Sequence, residues 1–246
     1  MAIYASFPAI LALCFICITL PYWRIFQQKG HPPILSVSAG VGLTYVFLAL
    51  LPKLAEVQAS FQSGDTQEPL LAIGLQAYLA ALAGFVIFLL IANQGFFEDA
   101  DTPVQSTSLG EMVVFLVFAI YYIQIGFLLG EWPLVNWFAY LALTFAFGMH
   151  LVGINYHLLK RFPRRYPKFL RWLFGVCLLV GWGASVFAEQ LSTLVKLSTM
   201  FVAGGIIITA LREEIPSQKD ANIPYFLASV LATTLFVVAT EALLLS

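Results

Sequence analysis

The chain has 246 residues, 61% of them hydrophobic and 10% charged, with a formal net charge of −1. A soluble domain carries about 25% charged residues, so no single water-facing fold would hide this much apolar surface, and lipid is the solvent for most of the chain. The balanced charge gives no electrostatic basis for a nucleic-acid partner, and apolar runs that are continuous rather than alternating favour helices over barrel strands.

A helix crosses a bilayer with about 20 apolar residues. Segments 3–23, 34–52, 70–92, 111–130, 134–158, 169–188, 193–211 and 223–245 each qualify. They predict an all-α polytopic membrane protein, with residues 1–246 forming a single transmembrane domain. The first segment lacks a basic leader and a small-residue cleavage site, and its positive charges, Arg24 and Lys29, follow it; it reads as a retained helix. Cys14-x-x-Cys17 lies inside it among Leu, Phe and Ile, without a second pair, and reads as helix packing. The second segment holds Ala39-Gly40 and ends at Pro52. Between the third and fourth lies an acidic loop with Glu98, Asp99 and Asp101, which reads as solvated.

The fourth segment carries Tyr121, Tyr122 and Gln124 about midway along its length. Tyr121 and Gln124 are three apart and share a helix face. They would either line a solute pathway or hydrogen-bond to neighbouring helices, as polar membrane residues often do. Gly126-x-x-x-Gly130 would let a second helix come close. The fifth segment contributes His150, Asn155 and His157. An ionisable residue within the membrane is a functional candidate, and His150 is one; Asn155 and His157 are placed nearer the headgroups or a cytoplasmic mouth. Glu131, just past the fourth segment, and Glu189, at the end of the sixth, are candidates for an outer mouth. The run from Lys160 to Arg171 reads as a topology signal with a secondary affinity for anionic lipid. The seventh segment holds Ala203-Gly204, with Glu213-Glu214 and Pro216 beyond it.

Ten of the twelve Lys and Arg residues fall on one side if the N-terminus is outside; only Lys53 and Lys196 do not. By the positive-inside rule both termini are then extracytoplasmic, and the compact loops point to a bacterial inner membrane. No HExxH or GxSxG motif is present, and Asp65, Asp99, Asp101 and Asp220 all lie in predicted loops, so an enzyme is not expected. Pro follows Gly by twelve positions in both Gly40–Pro52 and Gly204–Pro216. The predicted topology sends these two segments across in opposite directions, which predicts an inverted repeat: segments one to three against six to eight, with four and five between them.

The plan is similar to that of the ZIP (zinc- and iron-regulated-transporter-like) family of metal transporters. Ser38-Ala39-Gly40 through Leu50-Leu51-Pro52 resembles that family's second helix. Ala83-Gly84-Phe85 through Leu89-Leu90 resembles its third, and Val202-Ala203-Gly204 through Glu213-Glu214-Ile215-Pro216 its seventh. The resemblance implies eight helices in a 3+2+3 arrangement and alternating access for a divalent cation such as zinc, as cargo rather than resident cofactor. The ligands depart from the pattern. Tyr121, Tyr122 and Ile125 stand where the family's fourth helix has His, Asn and Glu, and the fifth keeps His150 but has Ile154 four residues on. His150 is thus the one metal-ligand candidate, and a binuclear site of the family's type is not expected. The expected function is a divergent ZIP-like transporter, with Tyr121, Tyr122, Gln124, His150 and Asn155 as pathway residues. A fold serving as scaffold or partner subunit, or moving a non-metal solute, is the alternative. Expected partners are the lipid bilayer, a small solute or metal ion, and a second copy of the chain in a homodimer.

Overall fold

A computed structural model describes residues 2–27, 32–62, 75–91, 108–131, 137–187, 193–213 and 222–245. The helices are α1 (Ala2–Thr19), α2 (Pro33–Tyr45), α3 (Leu51–Gln62), α4 (Gln76–Ile91), α5 (Ser108–Glu131), α6 (Trp137–Arg161), α7 (Arg171–Phe187), α8 (Thr193–Glu213) and α9 (Ile223–Leu245), with no strand among the described residues. Helices satisfy every backbone N–H and C=O internally, which hydrocarbon demands. Ser6–Gln27, Pro33–Gln62, Val114–Glu131, Tyr140–Arg161 and Ile223–Thr240 are each long and apolar enough to cross a membrane; Gln76–Leu90 and Lys196–Ile208 are shorter apolar helices. The outer surface is apolar as well. Phe15, Met112, Phe145, Leu231 and Leu235 are all exposed, and only 11% of Ile223–Thr240 is buried inside the protein. The chain is an all-helical membrane protein.

Several expected boundaries shift, by three residues at the start of α5 and at both ends of α6, and two of the shifts lie at prolines. The second segment does not end at Pro52, and the predicted loop after it is helical as far as Gln62: α2 and α3 form one rod through a π-turn, Val46–Leu50. Proline offers no N–H and its ring collides with the carbonyl four residues back, here Leu48. Widening the turn admits one extra residue, so the rod passes the obstruction instead of stopping. The first helix stops at Thr19 rather than residue 23. Pro21 sits in a short 3₁₀ turn, Leu20–Tyr22, and the Trp23 indole N–H donates to the Thr19 hydroxyl at 3.0 Å.

Glycines set how closely the helices pair. A Cβ at Gly204 of α8 would fall on the Ala81 carbonyl oxygen of α4, and one at Gly40 of α2 would fall on Ser229 and the Phe226 carbonyl of α9. These residues let α4 meet α8, and α2 meet α9, backbone to backbone. The Gly126-x-x-x-Gly130 face of α5 does the same work against α7, meeting Leu178 and Ser185.

Contacts along each pair give the helix directions. Ser36 and Gly40 of α2 meet Asn222 and Phe226 of α9 in the same order, so these two run parallel. In α5 and α6, Tyr121 meets His150 and Leu129 meets Tyr140, so they run antiparallel. Phe61, near the end of α3, lies 5.8 Å beneath the Lys196 ammonium at the start of α8, Leu54 packs with Met200, and Val46 shares a cavity wall with Ile206. The α2–α3 rod and α8 therefore run in opposite directions. Ser38 donates to the Met149 carbonyl at 2.6 Å while Tyr45 and Ala142 line one groove, so α2 and α6 are antiparallel. Leu13 meets Gly148, and Cys17 meets Asn155, so α1 follows α6. The start of α1 and the end of α9 thus lie at the same end of the bundle.

These seats make a stability prediction. Gly204→Leu should destabilise the detergent-solubilised protein by about 1–3 kcal/mol or more, the cost of overpacking a tight contact, read as a lower midpoint of thermal unfolding. Gly183→Ala, where an added Cβ meets nothing within 4 Å, should leave the midpoint unchanged or raise it.

Candidate functional site

Adjacent positions on a helix point about 100° apart, so Tyr121 and Tyr122 serve different neighbours although both are fully buried. Tyr121 shares a hydrogen bond between its hydroxyl and the Nε2 of His150 on α6. Phe88 of α4 packs at 5.2 Å between ring centres against Tyr121, and Phe118 lies edge-on at 6.2 Å. His150 is buried with it, 3% exposed.

A cavity of about 30 Å³ adjoins this pair, lined by Gly42, Tyr45, Val46, Ala49, Leu50, Leu128, Leu143, Ala146, Phe147, His150 and Ile206. Its walls come from the α2–α3 rod, α5, α6 and α8. The π-turn ahead of Pro52 supplies Val46, Ala49 and Leu50 directly. A water needs about 10–15 Å³ of such space, so the cavity has room for one or two waters or a very small solute. Its lining is almost wholly apolar, and His150 and Tyr45 bring the side-chain polar groups.

Tyr122 reaches a second cluster. Its hydroxyl donates to the Asn155 Oδ1 at 2.6 Å, Tyr166 donates to the same oxygen at 2.5 Å, and the Asn155 amide donates to the Cys17 sulfur at 3.4 Å. The Tyr166 hydroxyl also lies 3.2 Å from the Cys17 carbonyl oxygen, and Tyr122 stacks on Phe174 at 4.5 Å. One carboxamide thus ties α1, α5, α6 and the π-turn Tyr166–Leu170 that leads into α7. Asn155 was expected near the headgroups or a cytoplasmic mouth; it is wholly buried, because three neighbouring elements converge on its amide. Its position is a structural hub rather than a lining of the cavity.

The expected pathway set therefore splits. His150 lines the cavity, and Tyr121 stands behind it, hydrogen-bonded to its ring; Tyr122 and Asn155 form the hub; Gln124 is half-buried and joins neither. Glu131 is half-buried at the end of α5, and Glu189 lies outside the described residues. His157 is half-buried, edge-on to Tyr156 at 5.6 Å. Among the described residues no three His, Cys, Asp or Glu side chains come together as a metal-binding group. Zinc takes about four N, O or S ligands, and the cavity beside His150 offers tyrosine hydroxyls as the nearest additional donors.

Sequence reasoning missed Tyr45, Cys17 and Tyr166 as polar partners. Tyr166 sits inside the basic run, where charge dominates the pattern, and only its place between Arg165 and Pro167 hints at a turn. The basic run does more than mark a side. Arg165 pairs with Glu111 of α5, and Arg171 donates to the Ile18 carbonyl at 3.0 Å while its guanidinium lies 4.9 Å from the Tyr22 ring centre.

Asn155→Leu would remove the carbonyl oxygen that Tyr122 and Tyr166 share as acceptor, leaving Tyr166 the Cys17 carbonyl, at about 1–3 kcal/mol for the lost bonds. Tyr122→Phe alone should cost less. In the double variant the two losses should not add, because one shared hydrogen bond is removed twice; additivity in detergent-unfolding midpoints would contradict the hub. Compared with known proteins, the chain matches no family model, no curated protein and no solved structure.

Proposed function

We propose that the chain is a membrane transporter made of two inverted three-helix repeats on a 3+2+3 plan, similar to the ZIP family, that moves a small solute past Tyr121 and His150 by alternating access. One observation carries this reading. Gly40 seats the second span on the eighth, and Gly204 seats the seventh on the third. Exchanging the first three spans with the last three turns one seat into the other, and the seated α2–α3 rod and α8 run in opposite directions. Inverted repeats with the site at their interface are the usual build of secondary transporters, and the cavity beside His150 lies where the α2–α3 rod and α8 face α5 and α6.

The lining bears on the cargo. A divalent cation carried into low dielectric needs compensating charge, and among the described residues no carboxylate lines this cavity. A small solute of low charge that accepts or donates one hydrogen bond to the Tyr121–His150 pair fits the lining better, with a divalent metal ion as the second cargo. Orientation follows the positive-inside rule, with both termini extracytoplasmic in a bacterial inner membrane. The dense aromatic filling around Tyr121, with Phe88, Phe118 and Tyr122 all buried, favours one competing reading: a retained fold that acts as a scaffold or partner subunit and moves nothing.

Uptake into proteoliposomes distinguishes the two. Zinc, manganese, iron(II), glycerol and urea would each be followed into vesicles holding the wild type, His150→Ala, Tyr121→Phe or Gln124→Ala. At least one solute should enter above empty vesicles, with uptake falling about ten-fold in His150→Ala, the equivalent of about 1.4 kcal/mol, and unchanged in Gln124→Ala. No uptake of any solute supports the scaffold. Uptake that is equal in all four proteins removes the Tyr121–His150 pair from the pathway.

A further inference from the structure

A groove of about 330 Å³ runs between α2, α6 and α9. Its outer rim is Leu141 and Phe145 of α6 and Phe236 of α9, which are 58%, 57% and 43% exposed. Its floor is Val41 of α2 with Ala142 and Ala146 of α6, each below 8% exposed. The groove therefore opens on the apolar outer belt and reaches buried helix surface. Small residues make it: alanines stand at 142, 146 and 232 where larger side chains would close the gap between α6 and α9. Among the described residues only the Tyr45 and Thr233 side chains bring polar atoms to its lining, and the Leu235–Val238 stretch beside it is apolar. Water in such a space would lack the two to four polar partners it needs.

What covers the groove follows from its continuity with the belt. Lipid chains surround that belt, the groove is open to it along the Leu141–Phe145–Phe236 rim, and its lining runs from those exposed side chains to the buried Val41, Ala142 and Ala146. Tyr45 and Ala146 line both this groove and the smaller His150 cavity, so the two spaces adjoin there. We propose that the groove holds one hydrocarbon chain of a bilayer lipid, threaded between α6 and α9 down to Val41, with Tyr45 closing its inner end against the His150 cavity. Hydrocarbon gains no hydrophobic free energy on leaving other hydrocarbon. The preference comes from dispersion against fixed walls on several sides, and it is modest, with the site in exchange with bulk lipid.

Photocrosslinking in nanodiscs tests this without knowledge of any transported solute. The probe is a phosphatidylcholine carrying a diazirine midway along one acyl chain, with labelled residues mapped by mass spectrometry. Val41 and Ala142 should be labelled although a lipid confined to the outer belt cannot reach them, with a yield about five-fold above that of other equally buried positions, matching a preference of about 1 kcal/mol. Ala232→Phe fills the rim from an exposed position and should abolish labelling at Val41 while leaving Leu82 and Val86, exposed or half-exposed on α4, labelled as before. Unchanged unfolding midpoints would confirm that this variant is folded. Labelling limited to Leu141, Phe145 and Phe236, or labelling of Val41 that survives Ala232→Phe, overturns the proposal. Protein–protein crosslinks through the groove in place of lipid adducts would assign it to a second copy of the chain and overturn it equally.

Discussion

In hydrocarbon, one apolar helix gains little by hiding its face from water that is not there. What holds this bundle together is close backbone approach, and that depends on residues with no side chain at Gly40 and Gly204. Each brings a helix near enough for carbonyl, Cα and side-chain surfaces to touch across the interface, where dispersion adds over many atom pairs. With α2 fixed on α9 and α8 fixed on α4, the α2–α3 rod and α8 stand antiparallel, and the space they enclose with α5 and α6 becomes the cavity beside His150.

Polar side chains add a second kind of tie, concentrated in the other helices. Asn155 joins α1, α5, α6 and the turn before α7; the Trp182 indole donates to the Ser6 hydroxyl at 3.0 Å; and Tyr140 donates to the Leu129 carbonyl at 2.7 Å, satisfying an acceptor in the last turn of α5. Glycine seats join α2 to α9, α4 to α8 and α5 to α7, and hydrogen bonds add the ties of α1 and α6. The two kinds of tie meet at the cavity, where His150, bonded to Tyr121, shares the lining with Tyr45 and Ile206.

The helical class, the membrane setting and most spans were legible in the sequence because the periodic apolar runs are long and their ends carry charge. Close approach was legible at Gly126-x-x-x-Gly130 but not at Gly40 and Gly204, whose AG pairs read as marks of a repeat and whose partners lie far along the chain. The polar interior was only half legible. Tyr121 and His150 could be picked out as polar residues near mid-span, but the roles of Tyr122 and Asn155 depend on rotation about the helix axis and on partners far along the chain. Asn155 meets Cys17 and Tyr166, one from α1 and one from a basic turn, and no local pattern joins those three positions. The boundary at Pro52 misled for a physical reason: proline forbids one hydrogen bond, and whether the chain stops or widens its turn is decided by whether packing on both sides rewards continuation.

That widening distinguishes the α2–α3 rod from α8. Gly40 and Gly204 occupy matching places, but the rod beginning with α2 carries a π-turn over Val46–Leu50, whereas α8 is a regular α-helix from Thr193 to Glu213. A π-turn inside an α-helical rod often marks a site of function. Here its residues form one wall of the cavity, and Tyr45, the last residue of α2 before it, lines both that cavity and the groove at the lipid face. The two helices seated by Gly40 and Gly204 therefore meet the cavity differently, one through a π-turn and the other through regular α-helix.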